Sequence, residues 1–426
     1  MGLASLAGLA GLAGAAQVEL RLWGWGPGSP TGNALAQIIE EFHATHPNIR
    51  VTIEQAQNEE KFLIAYATGV APDLTFGVGQ TAEILGGEHG ALLPLNKYLD
   101  GPNGIPRSEF VDDLWSFSIV DGHVYQLAIE SNERALYVNR QHAEQAGLYS
   151  GQTFPVKNWD DLLTWARRLT VRQADQVVQW GFYVNGQNGG DRWHWVWLND
   201  GKLITMEKEQ AADGSWVERP VAQLTHPNTI AALQYASDLI HEYGVSPLPA
   251  GSPRTQFLNG RYSMLIDTSV FVGNLTTSNF EHYLTMPSPV GVGKEGGRFS
   301  GASASCLAIS RSTKHPEEAW EFMRFLVYEK AEPFTIARGG IPYLKRLLSD
   351  RRFQSHPWRA FAVQIMTYRP ERVLYMIPAN VWQSSFQSAW DKAIKREQAP
   401  QVALQSANEV ISASLAEWWQ TRQKGK

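Results

Sequence analysis

The chain has 426 residues, of which 43% are hydrophobic and 19% charged, and a formal net charge of −5. That length exceeds what one hydrophobic core usually supports, so two lobes are expected. The mild acidity gives no reason to expect a nucleic-acid partner. Trp is the outlier, with 16 residues. Its flat apolar face and single N–H donor suit the C–H faces and polar edges of sugar rings, although core packing is its commoner use.

Residues 1–16, MGLASLAGLAGLAGAA, are small and uncharged. They read as the apolar part of a secretory signal, with Ala13-Gly14-Ala15 as the cleavage site and a mature chain starting near Ala16 or Gln17. The basic segment that opens such signals is missing, and the run is short of the roughly 20 residues that span a bilayer. Export is expected, to the periplasm or the outer face of the membrane, with the anchoring mode open.

Val18–Trp23 alternates and predicts a strand, followed by the loop Gly24–Pro30. Leu35, Ile38, Ile39 and Phe42 recur at helical spacing, and Ile49, Val51 and Ile53 mark a second strand. This β-loop-α-β order favours a parallel sheet. A helix over Lys61–Thr68 leads to a third strand at Leu74–Phe76. Gly77–Thr81 would then leave its carboxyl edge, where open α/β sheets place ligands.

Val124–Asn139, VYQLAIESNERALYVN, is a strand pattern interrupted by the polar run Glu130–Arg134. Such a run suits a crossing between lobes, exposed in the gap, better than a buried strand. Asn158 predicts a helix cap before Leu162, Leu163, Ala166 and Leu169. Trp180–Val184 reads as a strand, and Trp193–Trp197 opens a helix after a Gly/Asn loop. Thr205–Pro220 predicts a surface hairpin, and Ser263–Asp267 a strand. The first half of Arg298–Ser310 resembles a second crossing. Cys306, the single cysteine, sits there in an apolar run and is expected to be a buried thiol that forms no internal disulfide. His315–Tyr328 and Gln401–Gln420 read as helices.

Several ordered signposts now carry a family resemblance. They are FHATHPNIRV, GVAPDL, ALYVN with QHAEQAGL, NWDDLLTWARRLT, FLNGRYSMLID, KHPEEAWEFMRFLV and GGIP. The chain resembles, from about Val18 onward, the solute-binding proteins of carbohydrate importers driven by an ATP-binding cassette, the maltose-binding-protein superfamily. The resemblance implies an α/β fold of two lobes, each a mostly parallel sheet flanked by helices, joined by hinge crossings. It places lobe one at residues 17–130 plus 303–350 and lobe two at 131–302 plus 351–426. Crossings would fall near Ile129–Asn132, near Gly301–Ser303 and near Asp350. It implies a monomer that captures a sugar or oligosaccharide without chemistry or cofactor and delivers it to permease subunits.

Residue types and the resemblance together nominate a ligand site. Trp23 and Trp25 share a face by strand alternation, so at least one should reach the cleft. Gln80 and Thr81 offer amide and hydroxyl groups to sugar hydroxyls. Glu130 and Asn132 should point the same way and Glu133 the opposite way, with Glu133 and Arg134 alternatively a surface ion pair. Asp191 reads as a helix cap with a second hydrogen-bonding role, and Trp193 and Trp382 as stacking platforms. Asp267 ends a strand, Gly301 and Ser303 leave backbone groups open, and Arg338 could grip a carboxylate or phosphate. Two rival readings stay open: a binder of glycerol 3-phosphate or a related polyol, through Arg338 and Arg372, and a glycoside hydrolase using Glu130 with Asp267. His43 and His46 lack a third ligand for a metal.

Overall fold

The computed structural model describes residues 17–77, 81–111, 115, 118–210, 214, 216–294, 298–300, 304–371 and 379–424. Strand β1 (Val18–Gly24) buries Leu20 and Leu22 completely. It lies parallel to β2 (Ile49–Gln55) and β3 (Leu74–Gly77). Between β1 and β2 runs helix α1 (Pro30–Thr45). Ser29 starts it: its hydroxyl accepts the Gly32 N–H, and Pro30 occupies the first turn, where no amide hydrogen is needed. Leu35, Ile38, Ile39 and Phe42 form the buried stripe that the spacing predicted. Helix α2 (Glu59–Ala67) is capped by the Asn58 side chain, which accepts the Lys61 N–H. It begins two residues before the predicted Lys61.

The next strands, β4 (Gln126–Ser131) and β5 (Arg134–Asn139), are separated by two residues but belong to different sheets. β4 pairs antiparallel with β8 (Ala304–Ile309), which pairs antiparallel with β3. The short β9 (Ile341–Pro342) closes the other edge, giving the order β9-β4-β8-β3-β1-β2. β5 is instead the centre of a three-stranded antiparallel sheet with β6 (Met264–Thr268) and β7 (Tyr283–Met286). The predicted strand at 180–184 reduces to single parallel bridges, Trp180 to Tyr262 and Tyr183 to Leu265. The two-lobed α/β architecture is therefore present, with strand directions more mixed than expected. Parallel pairing holds where helices intervene, and a chain returning from the other lobe enters the sheet in the opposite sense.

Two cores correspond to the two sheets. One packs α1, α6 (Pro316–Arg324) and α7 (Ala331–Arg338) on the six-stranded sheet through Phe42, Phe322 and Phe334. The other joins α3 (Trp159–Leu169), α4 (Gly189–Leu198) and α5 (Pro227–His241) to α9 (Ala379–Ile394) and α10 (Pro400–Lys424). A third cluster spans the seam, bringing Ala128, Ala304 and Tyr343 against Tyr137, Phe271 and Phe361 of α8 (Arg359–Thr367). The predicted hairpin forms from Ile204–Gln210 and Trp216–Ala222. Cys306 is buried, and burial raises its thiol pKa far above the usual range.

Candidate ligand site

The carboxyl ends of β1, β2 and β3 converge on one cavity of about 230 Å³. Each contributes through the segment that follows it. Trp25 comes from beyond β1, Gln57, Asn58 and Glu59 from beyond β2, and Gly77 and Thr81 from beyond β3. Phe62 of α2, Phe76 and Leu85 complete the apolar wall. The placement follows from parallel pairing, which brings three loops and the start of a helix to one edge. Thr81 donates its hydroxyl to Glu59 Oε1 at 3.1 Å, which orients that carboxylate in the wall.

Trp25 leans on Phe76 with ring centroids 4.6 Å apart, and Phe334 backs both rings. The Arg338 guanidinium lies 4.9 Å over the same indole. Arg338 is anchored in turn, its Nε 3.3 Å from Ser305 Oγ and 3.6 Å from Glu130 Oε1. Arg338 thus stacks on the indole that lines the cavity, with a buried acid beside it.

The polar run in the crossing is not exposed as expected. Glu130 and Ser131 are 0% exposed, Glu133 1% and Arg134 4%. β4 and β5 are each sheet-paired up to these residues, so the link is drawn into the seam between the two sheets. Glu133 and Arg134 form no surface ion pair. The Ser131 hydroxyl donates to Glu133 at 2.5 Å, and Arg134 donates to Asp191 at 2.9 Å and to Asn188 at 3.2 Å. Burial pushes the Glu130 carboxyl up to about 7, against the pull of Arg338 and Ser305. Burial also pushes Glu133 up to about 8, with Ser131 and Arg134 opposing and Glu130 adding to the rise. Asn132 holds its carbonyl oxygen buried without a hydrogen bond.

The other nominated residues fall into distinct places. Trp23 and Trp25 do not share a face, because β1 ends at Gly24 and alternation ends with it. Trp23 is buried beside Phe62, its indole N–H donating to Glu54 at 3.0 Å. Asp191 is not the cap of α4. Asn188 is, and Asp191 reciprocates from three residues on in a capping box. Trp193 and Trp382 are not open platforms: both are buried and pack on each other at 5.0 Å. Asp267 is gripped by both arms of Arg254, at 2.7 and 2.9 Å, and accepts the Thr268 N–H. Gln80, Gly301, Ser303 and Arg372 lie outside the described residues. Sequence reasoning missed Gln57, Asn58, Glu59, Phe62 and Phe76. The rule that singled out the end of β3 applies equally to the end of β2, and would have found the first three.

A pair of α/β lobes joined at a seam, with a cavity lined by aromatic and polar side chains at the carboxyl edge of one sheet, defines a solute-binding architecture. The family model described as bacterial extracellular solute-binding protein matches residues 26–333, and the chain belongs to that family. A Brucella abortus (strain 2308) protein named as a binding protein is 23% identical over 354 residues, 80% of each chain. The arabinooligosaccharide-binding protein of Bacillus subtilis (strain 168) is 24% identical over 228 residues, 51% of this chain and 48% of that one. Among solved structures, the sugar-binding protein MalE of Xanthomonas citri superposes with a TM-score of 0.79 at 16% identity, covering 95% of this chain and 99% of that one. The Listeria monocytogenes substrate-binding protein bound to cycloalternan gives 0.74 at 18%, covering 94% and 99%. At these identities the superpositions establish the fold. No helix among the described residues is long and apolar enough to cross a membrane.

Proposed function

We propose that this protein captures a neutral sugar or oligosaccharide outside the cytoplasm and hands it, unchanged, to the permease of an ATP-binding-cassette importer. The observation that carries the reading is the cavity at the ends of β1, β2 and β3. An indole and two phenyl rings face amide, hydroxyl and carboxylate groups across about 230 Å³. Aromatic faces cover the C–H side of a sugar ring, while the polar groups replace its hydrogen bonds to water at a net gain of about 0.5–1.5 kcal/mol each. Relatives of the same fold have been captured with cycloalternan and with maltotetraose.

In this reading lobe one is 17–130 plus 303–350 and lobe two 131–302 plus 351–426. The change of sheet between β4 and β5, the return to the large sheet at β8 and the packing of α8 against Tyr137 support those boundaries. Opening and closing about the seam would admit and enclose the ligand.

The rival readings find less support. Arg338 is committed to Glu130 and stacked on Trp25, so it does not stand free for a phosphate. A hydrolase pair would need two carboxyls presented to one bond, yet Glu130 is sealed and Asp267 is bound by Arg254. Titration calorimetry of the full chain against a panel of malto-, arabino- and mannooligosaccharides plus glycerol 3-phosphate tests the proposal. Saturable heat with at least one neutral sugar is expected. Heat with glycerol 3-phosphate alone would reverse the assignment.

A further inference from the structure

The indole of Trp25 lines the cavity from a position that no sheet pairing fixes. β1 ends one residue earlier, at Gly24, so the ring's orientation depends on side-chain contacts. Two of those contacts come from a single helix. Phe334 and Arg338 stand four residues apart on α7 and therefore share one of its faces. Both meet the indole, at 6.0 and 4.9 Å. Phe334 also stacks on Phe76, the third ring against Trp25, with centroids 5.5 Å apart and planes 9° apart. Arg338 is the last residue of α7. Gly339 follows at φ +69°, the left-handed turn that ends the helix, and a cation there suits the helix dipole.

The guanidinium is itself tethered. Its Nε donates to Ser305 Oγ of β8 at 3.3 Å and lies 3.6 Å from Glu130 Oε1 at the end of β4. Glu130 in turn is packed tightly, since a Cβ on Gly340 would fall 1.9 Å from its Oε2. The described lining of the cavity includes Trp25 and Phe76 but not Arg338. Resting on the sugar-capture reading, we propose that Arg338 is a positioning residue for that site: it holds the Trp25 indole in the wall, ready to stack on a sugar ring, and acts on the ligand only through that indole. A free indole would have to be immobilised each time ligand binds, and that ordering weakens affinity. A guanidinium drawn to the ring by cation–π attraction, and fixed by its own partners, removes the cost in advance. Trp25, Phe76, Phe334, Arg338, Ser305 and Glu130 all fall within the proposed lobe one, so the arrangement is complete whether the lobes are open or closed.

The test is a double-mutant cycle on the full chain, titrated with the neutral sugar that gives heat in the panel. Arg338→Gln is expected to weaken binding about 3- to 10-fold in the wild-type background and to have no measurable effect in the Trp25→Ala background. A general structural defect would weaken both, so equal losses, or no loss in the wild type, overturn the proposal. A second readout needs no ligand. In protein grown with fluorotryptophan, the fluorine resonance missing from Trp25→Phe identifies Trp25. Its relaxation should report a more mobile ring in Arg338→Gln than in the wild type, and equal mobility overturns the proposal. Where Trp25→Ala binds too weakly to titrate, ring mobility decides. Should Arg338→Gln fail to fold with Glu130 left without its cation, Arg338→Gln combined with Glu130→Gln removes both charges and takes its place. A panel in which no neutral sugar gives heat sinks the sugar reading, and ring mobility then decides the positioning by itself. Heat with a sugar but equal losses in both backgrounds sinks this inference and leaves the sugar reading standing.

Discussion

Trp25 sits one residue beyond the end of β1, held between Phe76 and the Arg338 guanidinium. It is half-buried, so one part of the indole packs while the rest faces the cavity. Replacing it with Ala removes the stacking face but leaves Phe76 and Phe334 paired. Trp25→Ala is therefore expected to weaken sugar binding about 10- to 100-fold, the equivalent of about 1.5–3 kcal/mol of apolar burial. Calorimetry on the sugar that binds wild type checks this, and an unchanged affinity would assign the ring to packing. Trp23 marks the limit of residue-by-residue reading. Its identity and position match those of Trp25, and only the end of the strand at Gly24 separates their roles. The burial of Glu130 and Glu133 was equally illegible, because a polar run carries no sign of what packs over it. The residues that seal it, Gly339, Gly340 and Tyr343, are more than two hundred positions away in the chain.

Elements were easier to read than the contacts between them. The stripes of α1 and α3, the Asn158 cap and the paired strands Ile204–Gln210 and Trp216–Ala222 all rest on local periodicity and capping chemistry, and these survive folding. Helix α4 depended on something local pattern does not contain. Its first turn is fixed to β5 by the buried Arg134–Asp191 pair at 2.9 Å, and Asn188 serves as both cap and second acceptor. Gly190 has no side chain because the Arg134 guanidinium occupies that space, 2.3 Å from where a Cβ would stand. Asp191→Asn keeps the shape but strands a buried guanidinium. A loss of about 3–5 kcal/mol in unfolding free energy is expected. Urea denaturation measures it, and a loss below about 1 kcal/mol would mean that water or Asn188 replaces the carboxylate. The same substitution should leave the lobe-one cavity unaltered, since no residue of α4 lines it.

At the scale of the whole molecule, buried titratable groups of opposite sign shape the dependence of stability on pH. Glu130 and Glu133 are raised from 4.5 to about 7 and about 8. The folded chain therefore binds more protons than the unfolded one above the ordinary carboxyl range. Their contribution is fully present below about pH 4.5 and is lost as pH climbs through about 7 and 8. His142, His194 and His356 are lowered from 6.5, each chiefly by burial. The folded chain binds fewer protons at these sites, so their contribution is present above about 6.5 and is lost on acidification. Between about pH 4.5 and 6.5 the two sets oppose one another. Above 6.5 the histidines have finished and the glutamates act alone. The melting temperature is therefore expected to fall from about pH 6.5 to about pH 8 and then to level off. Glu133 by itself would account for about 2 kcal/mol over that interval, at about 1.4 kcal/mol per pH unit. Glu133→Gln, an uncharged group of the same length beside Ser131, should flatten the decline while leaving the acid limb in place. Thermal melts of both proteins in constant-ionic-strength buffers provide the measurement. A wild-type melting temperature that holds steady from pH 6.5 to 8 would mean that both carboxyls are already ionised in the seam, with water or a bound cation compensating the charge that Arg338 alone does not.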